Sequence, residues 1–164
     1  MIRKLYRFHF RSERRERLFL AWLGFTVTVG VVRGITAMIH AGVGPFHNVT
    51  TAGGLHIHHL VWGILLLLVV GLVWLQELAV GSSWVASLTA IAFGVAAALT
   101  LDEFALWLNL SDVYWARQGR ESIEALAFFS GLLFAGWAGW PFLRDLALLL
   151  VRHKPDLGGA YEWQ

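Results

Sequence analysis

Apolar residues along this chain neither alternate nor keep to one helical face. They run on in four long blocks, at about 18–42, 57–79, 84–108 and 122–143, the last extending toward 151. Each block has the roughly 20 residues that a helix rising 1.5 Å per residue needs to cross a hydrocarbon core of about 30 Å. Helices of a soluble domain keep a polar face for water, and these blocks have none. The pattern predicts an all-α integral membrane four-helix bundle with short loops. Composition agrees, at 57% hydrophobic and 15% charged, with mean hydropathy +0.61, more apolar than an ordinary soluble domain. The 164 residues suit one domain. It divides into a basic arm over 1–17, a transmembrane unit over 18–151 and a tail over 152–164.

Charge sets the orientation. Arg3, Lys4, Arg7, Arg11, Arg14, Arg15 and Arg17 all precede the first block, which is a positive-inside signal and a contact for anionic lipid headgroups. The formal charge of +2 and pI near 9.4 therefore have a membrane explanation, and nucleic acid is not an expected partner. The loop at about 43–56 has no Lys or Arg and is read as external, and 80–83 as a tight internal turn. The loop at about 109–121 carries Arg117 and Arg120 against Asp112 and Glu121 and weakly opposes this orientation. Arg144, Arg152 and Lys154 place the C-terminus with the N-terminus, in the cytoplasm. The first block is interrupted by Arg33 and runs to His40 without a small-x-small site, so it reads as an uncleaved helix. The expected location is the cell membrane, multi-pass, of a bacterial inner-membrane type. With no cysteine, disulfides, iron–sulfur clusters, thiolate zinc and cysteine nucleophiles are excluded.

On this map the polar residues gather at the outer end. His40 closes the first helix, His47 lies in the first external loop, and His56, His58 and His59 open the second helix. Asp102 and Glu103 lie about six residues, roughly 9 Å, inside the outer end of the third. Asp112, Tyr114 and Glu121 are in the second external loop, with Glu124 in the first turn of the fourth helix. Ionisable groups in hydrocarbon cost about 2.5 kcal/mol or more, so Asp102 and Glu103 need protein, water or a cation beside them. Arg33 is the expected partner. Gly30-x-x-x-Gly34 on the same helix predicts close approach of another helix there. The second and third helices, joined by a short turn, should run antiparallel with His59 and Asp102 at equal depth.

His56-x-His58-His59 suits zinc or iron, with carboxylates completing the set. On a regular helix His56 and His59 share a face and His58 does not, so all three converge only if the helix starts late, after Gly53-Gly54. The alternative is an interfacial histidine cluster wetted by headgroups. Adjacent Asp102 and Glu103 diverge by about 100° on a regular helix, and their alternative role is a buried ion pair. Glu121-x-x-Glu124 could ligate, or simply favour a helix N-terminus. Tyr114, Trp115 and Trp107 fit a substrate clamp or an interfacial aromatic belt. Pro141 is expected to bend or end the fourth span.

The H-x-H-H pattern and Leu101-Asp102-Glu103-Phe104-Ala105-Leu106-Trp107 resemble those of small bacterial polytopic membrane proteins, a resemblance that implies no function. Three readings follow. The first is a metal site of His56, His58, His59, Asp102 and Glu124, supported by Arg33, Glu103, Asp112, Tyr114 and Glu121, for metal-dependent hydrolysis or oxidation of a lipid-soluble substrate. The second is a non-enzymatic subunit holding haem or pigment through His40 and His59. The third is a structural subunit, joined to a membrane protein partner or to its own copies, whose polar cluster is an ion-paired joint.

Overall fold

The computed structural model describes residues 12–50, 52–54, 56–78 and 81–151, with side chains as far as 138. The expected tail and all but the end of the expected basic arm lie outside the described residues. The chain is all-helical. In order come α1 (Glu13–His40), α2 (His59–Leu75), α3 (Ser83–Asp102), the short α4 (Phe104–Asn109), a 3-10 turn (Arg117–Gly119) and α5 (Arg120–Val151). Among the described residues there is no strand, and one isolated antiparallel bridge links Thr50 to His56 in the α1–α2 loop.

Two helices are long and apolar enough to cross a membrane, α1 with mean hydropathy 1.8 and α3 with 1.9 over their most apolar windows. The α1 window is only 17% buried, against 44% for α3, so most of the apolar surface of α1 faces outward. α2 is equally apolar in character but has 17 residues.

α3 is the central helix. It packs against α1, α2 and α5, and α1 also packs against α5. Among the described residues α2 packs on α3 alone. Small side chains make this possible. Ala86, Ala90, Gly94, Ala96, Ala97 and Ala98 of α3 are buried, and a Cβ at Gly94 would overlap the Ala21 carbonyl of α1. From the other side, a Cβ at Gly24 would meet the Ile91 carbonyl oxygen at 2.8 Å. Gly63 does the same for α2, facing Thr100 and Ala96. Phe25, Ala97, Leu126 and Leu133 fill the core where α1, α3 and α5 meet.

Several expected details are corrected. Gly30 and Gly34 have nothing within 4 Å of where a Cβ would stand, so the close approach is made by Gly24 and Gly94 instead. α1 begins at Glu13, with Glu13 and Glu16 in its first turn, where acidic groups complement the helix dipole. The connection between α2 and α3 spans 76–82, longer than the expected turn. α5 continues through Pro141 to Val151. A proline costs a helix one hydrogen bond, but its fixed φ near −65° is helical. The third block is also not continuous, since Glu103 interrupts it.

Candidate functional site

Two local departures from regular helix build the site. The first is the late start of α2. Ile57 N–H donates to the Val49 carbonyl at 2.8 Å, and Thr50 bridges His56, so the segment before His59 is held extended. His58 takes the N-cap position with φ −73° and ψ 143°. The second is the break at Glu103, with φ −108° and ψ 26°. The amide of Ala105, freed by that break, donates to the buried Ser122 Oγ at 2.9 Å. A continuous helix would have pointed Asp102 and Glu103 about 100° apart; the break lets both carboxylates meet the start of α2.

Asp102 is 0% exposed and fully partnered. Its Oδ1 accepts from Arg33 Nε at 2.7 Å. Its Oδ2 accepts from the Tyr114 hydroxyl at 2.8 Å and lies 3.2 Å from His59 Nε2. Arg33 also lies over the Tyr114 ring, 5.1 Å from its centroid. The Tyr114 hydroxyl is in turn 3.1 Å from Thr36 Oγ1. Burial, together with the adjacent Asp102 carboxylate and against the Thr36 hydrogen bond, pushes the Tyr114 phenol up to about 12. Tyr114 is therefore a neutral donor at any physiological pH.

Glu103 serves α2. Its Oε1 lies 2.6 Å from His58 Nδ1 and 3.6 Å from His59 Nδ1, and its Oε2 accepts the Leu60 N–H at 2.9 Å. The first turn of any helix leaves amides without intrahelical partners, and a carboxylate there also complements the helix dipole. No Ser, Thr, Asp or Asn directly precedes His59, and His58 supplies no side-chain cap. Glu103 caps α2 from across the interface. That role was the main one missed by sequence reasoning, and the missing local cap was its signal.

These groups flank a cavity of about 540 Å³ between the C-terminal half of α1 and the N-terminal end of α2, beneath the loops. His56, His58, His59, Glu103 and Tyr114 supply polar wall, while Ile35 and Trp62 supply apolar wall. His47 and Asp112 also line it. The His56 and His58 rings meet edge-on, centroids 4.5 Å apart.

Of the other expected site residues, Glu121 and Glu124 lie apart from this cavity. Glu124 is 65% exposed and accepts from Arg120 at 2.9 Å on the outside of α5. Glu121 accepts from Asn109 Nδ2 at 3.0 Å. Asp112 accepts the Tyr114 N–H at 3.3 Å, closing its own loop. His40 stacks on Trp115 with centroids 4.2 Å apart, while His59 turns Nε2 to Asp102. Among the described residues there is no group of three or more His, Asp or Glu side chains that could hold a metal ion. No protein-family model, curated protein or solved structure matches the chain.

Proposed function

We propose that this chain is a multi-pass membrane protein of four spanning helices with both ends cytoplasmic. Its outer-end cavity binds the hydrogen-bonding head of a lipid-soluble molecule at the His58–Glu103 pair. The observation that carries this is the 2.6 Å contact of His58 Nδ1 with Glu103 Oε1 in the cavity wall. A carboxylate accepting at Nδ1 fixes the proton there and leaves Nε2 with a lone pair, ready to accept from a ligand hydroxyl. The same dyad suits general-base chemistry on a bound head.

Two features support membrane access. Val27 and Val31 of α1, Leu65, Leu68 and Leu72 of α2, and Phe128 and Leu132 of α5 are exposed, an apolar surface that suits lipid and is rare on soluble monomers. Because α2 packs only on α3 among the described residues, the groove between α1 and α2 lets an apolar tail enter from the bilayer while the head reaches His58.

A zinc or iron centre is the weaker reading. Asp102 and Glu103 are already engaged by Arg33, Tyr114 and the Leu60 amide, and Glu124 lies on the surface. Mass spectrometry of molecules copurifying with the chain, run beside elemental analysis, tests the choice. We expect one amphipathic molecule per chain, lost from His58→Ala and kept in Arg120→Ala. A stoichiometric metal lost from His58→Ala replaces this reading with a metal centre, and a Soret band replaces it with haem. Neither molecule nor metal leaves the ion-paired structural joint. Orientation is read separately by cysteine substitutions at Ser82 and Ser111 with an impermeant thiol reagent on intact cells. Labelling at 82 but not at 111 would reverse it.

A further inference from the structure

We infer that a second cavity, at the opposite end of the bundle, holds one anionic glycerophospholipid of the cytoplasmic leaflet. The inference rests on the membrane orientation proposed above but not on the ligand role of His58.

The cavity has a volume of about 680 Å³, within the usual range for a specific ligand site. It lies between the inner half of α1, the C-terminal end of α2 and the first turns of α3, with Leu133 of α5 behind. Its floor is apolar, made by Leu18, Ala21, Ala90 and Phe93, and alanine at 21 and 90 is what leaves the room. Trp74 presents its ring rather than its donor, because its indole N–H is already given to Thr89 Oγ1 at 3.1 Å. An acyl chain fits such a floor and a water-soluble anion does not.

The rim decides the head. Arg14 and Arg17 stand there with Glu13 and Glu77. Arg17 gives Nη2 to Glu13 at 2.7 Å, and a guanidinium has five N–H donors, so most of its fork stays available for a phosphate. The chain before Leu18 carries seven basic residues against Glu13 and Glu16, which favours an anionic head over a zwitterionic one. Basic pockets between helices on the cytoplasmic side are a recognised means of holding such heads. The apolar floor and the two guanidiniums of a mixed-charge rim, beneath a basic arm, together ask for phosphate and acyl chain in one molecule.

Native mass spectrometry of the full chain in detergent, with dioleoyl phosphatidylglycerol or dioleoyl phosphatidylcholine added, tests this. One phosphatidylglycerol should be retained per chain, about tenfold better than phosphatidylcholine, a difference of about 1.4 kcal/mol. The double variant Arg14→Gln/Arg17→Gln should lose the preference, and Ala90→Phe should lower retention of both lipids. If Ala90→Phe does not fold, brominated-chain phosphatidylglycerol should still quench the fluorescence difference between wild type and Trp74→Phe. Equal retention of the two lipids, an unchanged preference in the double arginine variant, or full displacement by millimolar inorganic phosphate would each overturn the inference. Alkaline carbonate extraction separates the two readings: protein in the supernatant defeats the membrane reading itself, while membrane-bound protein without lipid preference defeats only this one.

Discussion

Glu103 Oε2 accepts the Leu60 amide at 2.9 Å, so a carboxylate at the end of α3 closes the amino end of α2. The same side chain holds His58 through its other oxygen at 2.6 Å. A single residue thereby joins helix capping, inter-helix packing and the chemistry of the cavity wall. Glu103→Ala should cost about 3 kcal/mol, since hydrogen bonds to charged groups contribute roughly 1.5–3 kcal/mol each. Glu103→Gln, which keeps the shape and one acceptor, should cost less than half of that. Urea or thermal unfolding in detergent reads both, and equal stability of the two variants would deny the capping role.

The part-exposed Arg33 and the buried Asp102 form the ion pair of the site. Removing one member leaves the other charge without its partner, so Arg33→Leu should destabilise by about 3–5 kcal/mol. Arg120→Leu, which breaks an exposed pair with Glu124, should change stability by about 0.5 kcal/mol or less. The double variant Arg33→Leu/Asp102→Asn should recover part of the loss. Additive losses in that double-mutant cycle would show that the pair is not coupled.

Tyr114 makes stability depend on pH at the alkaline end. Its folded pKa, about 12, is above the unfolded value of 10.0. The folded state therefore keeps its proton longer than the unfolded state. The contribution is fully present below pH 10 and is lost as pH rises toward 12, for up to about 2 kcal/mol. Unfolding free energies of wild type and Tyr114→Phe between pH 9 and 12 check it. The wild-type curve should fall more steeply, and parallel curves would assign the alkaline loss to other groups.

Gly94→Ala should destabilise by roughly 1–3 kcal/mol, because the new Cβ overlaps backbone rather than a movable side chain. Gly30→Ala meets open space and should be neutral or stabilising, since alanine is the better helix former by about 0.8–1 kcal/mol. Thermal midpoints measured side by side distinguish them, and the reverse order would relocate the helix contact to the Gly30-x-x-x-Gly34 face.

Much of this was legible in the hydropathy of the chain. The apolar blocks overlap the four long helices, and the depth argument brings His59 and Asp102 together, at 3.2 Å. Arg33 found the acidic partner its depth demands. What escaped was local irregularity. A regular helix cannot aim two adjacent carboxylates at one neighbour, so the break at Glu103 had to be seen. Glu124 shows the opposite failure. Helix position put it at the right end of the bundle but could not say which face it occupies, and it pairs with Arg120 outside. Gly30 and Gly34 matched a packing motif, yet helix rotation is set by the whole interface, which turned Gly24 inward instead.

The attachment of α2 along a single seam has a mechanical consequence. A rod fastened on one side to α3 has rolling about that seam as its softest motion. Polar pins restrain the roll, Trp74 to Thr89 near one end, and Glu103 to the His58–Leu60 turn with Asp102 to His59 at the other. Between the pins Gly63 lets the backbone of α2 close on Thr100 and Ala96 of α3. The helix is hung like a door, with the latch at its N-terminal end made of charge, and swinging it open means unfastening Glu103 and Asp102.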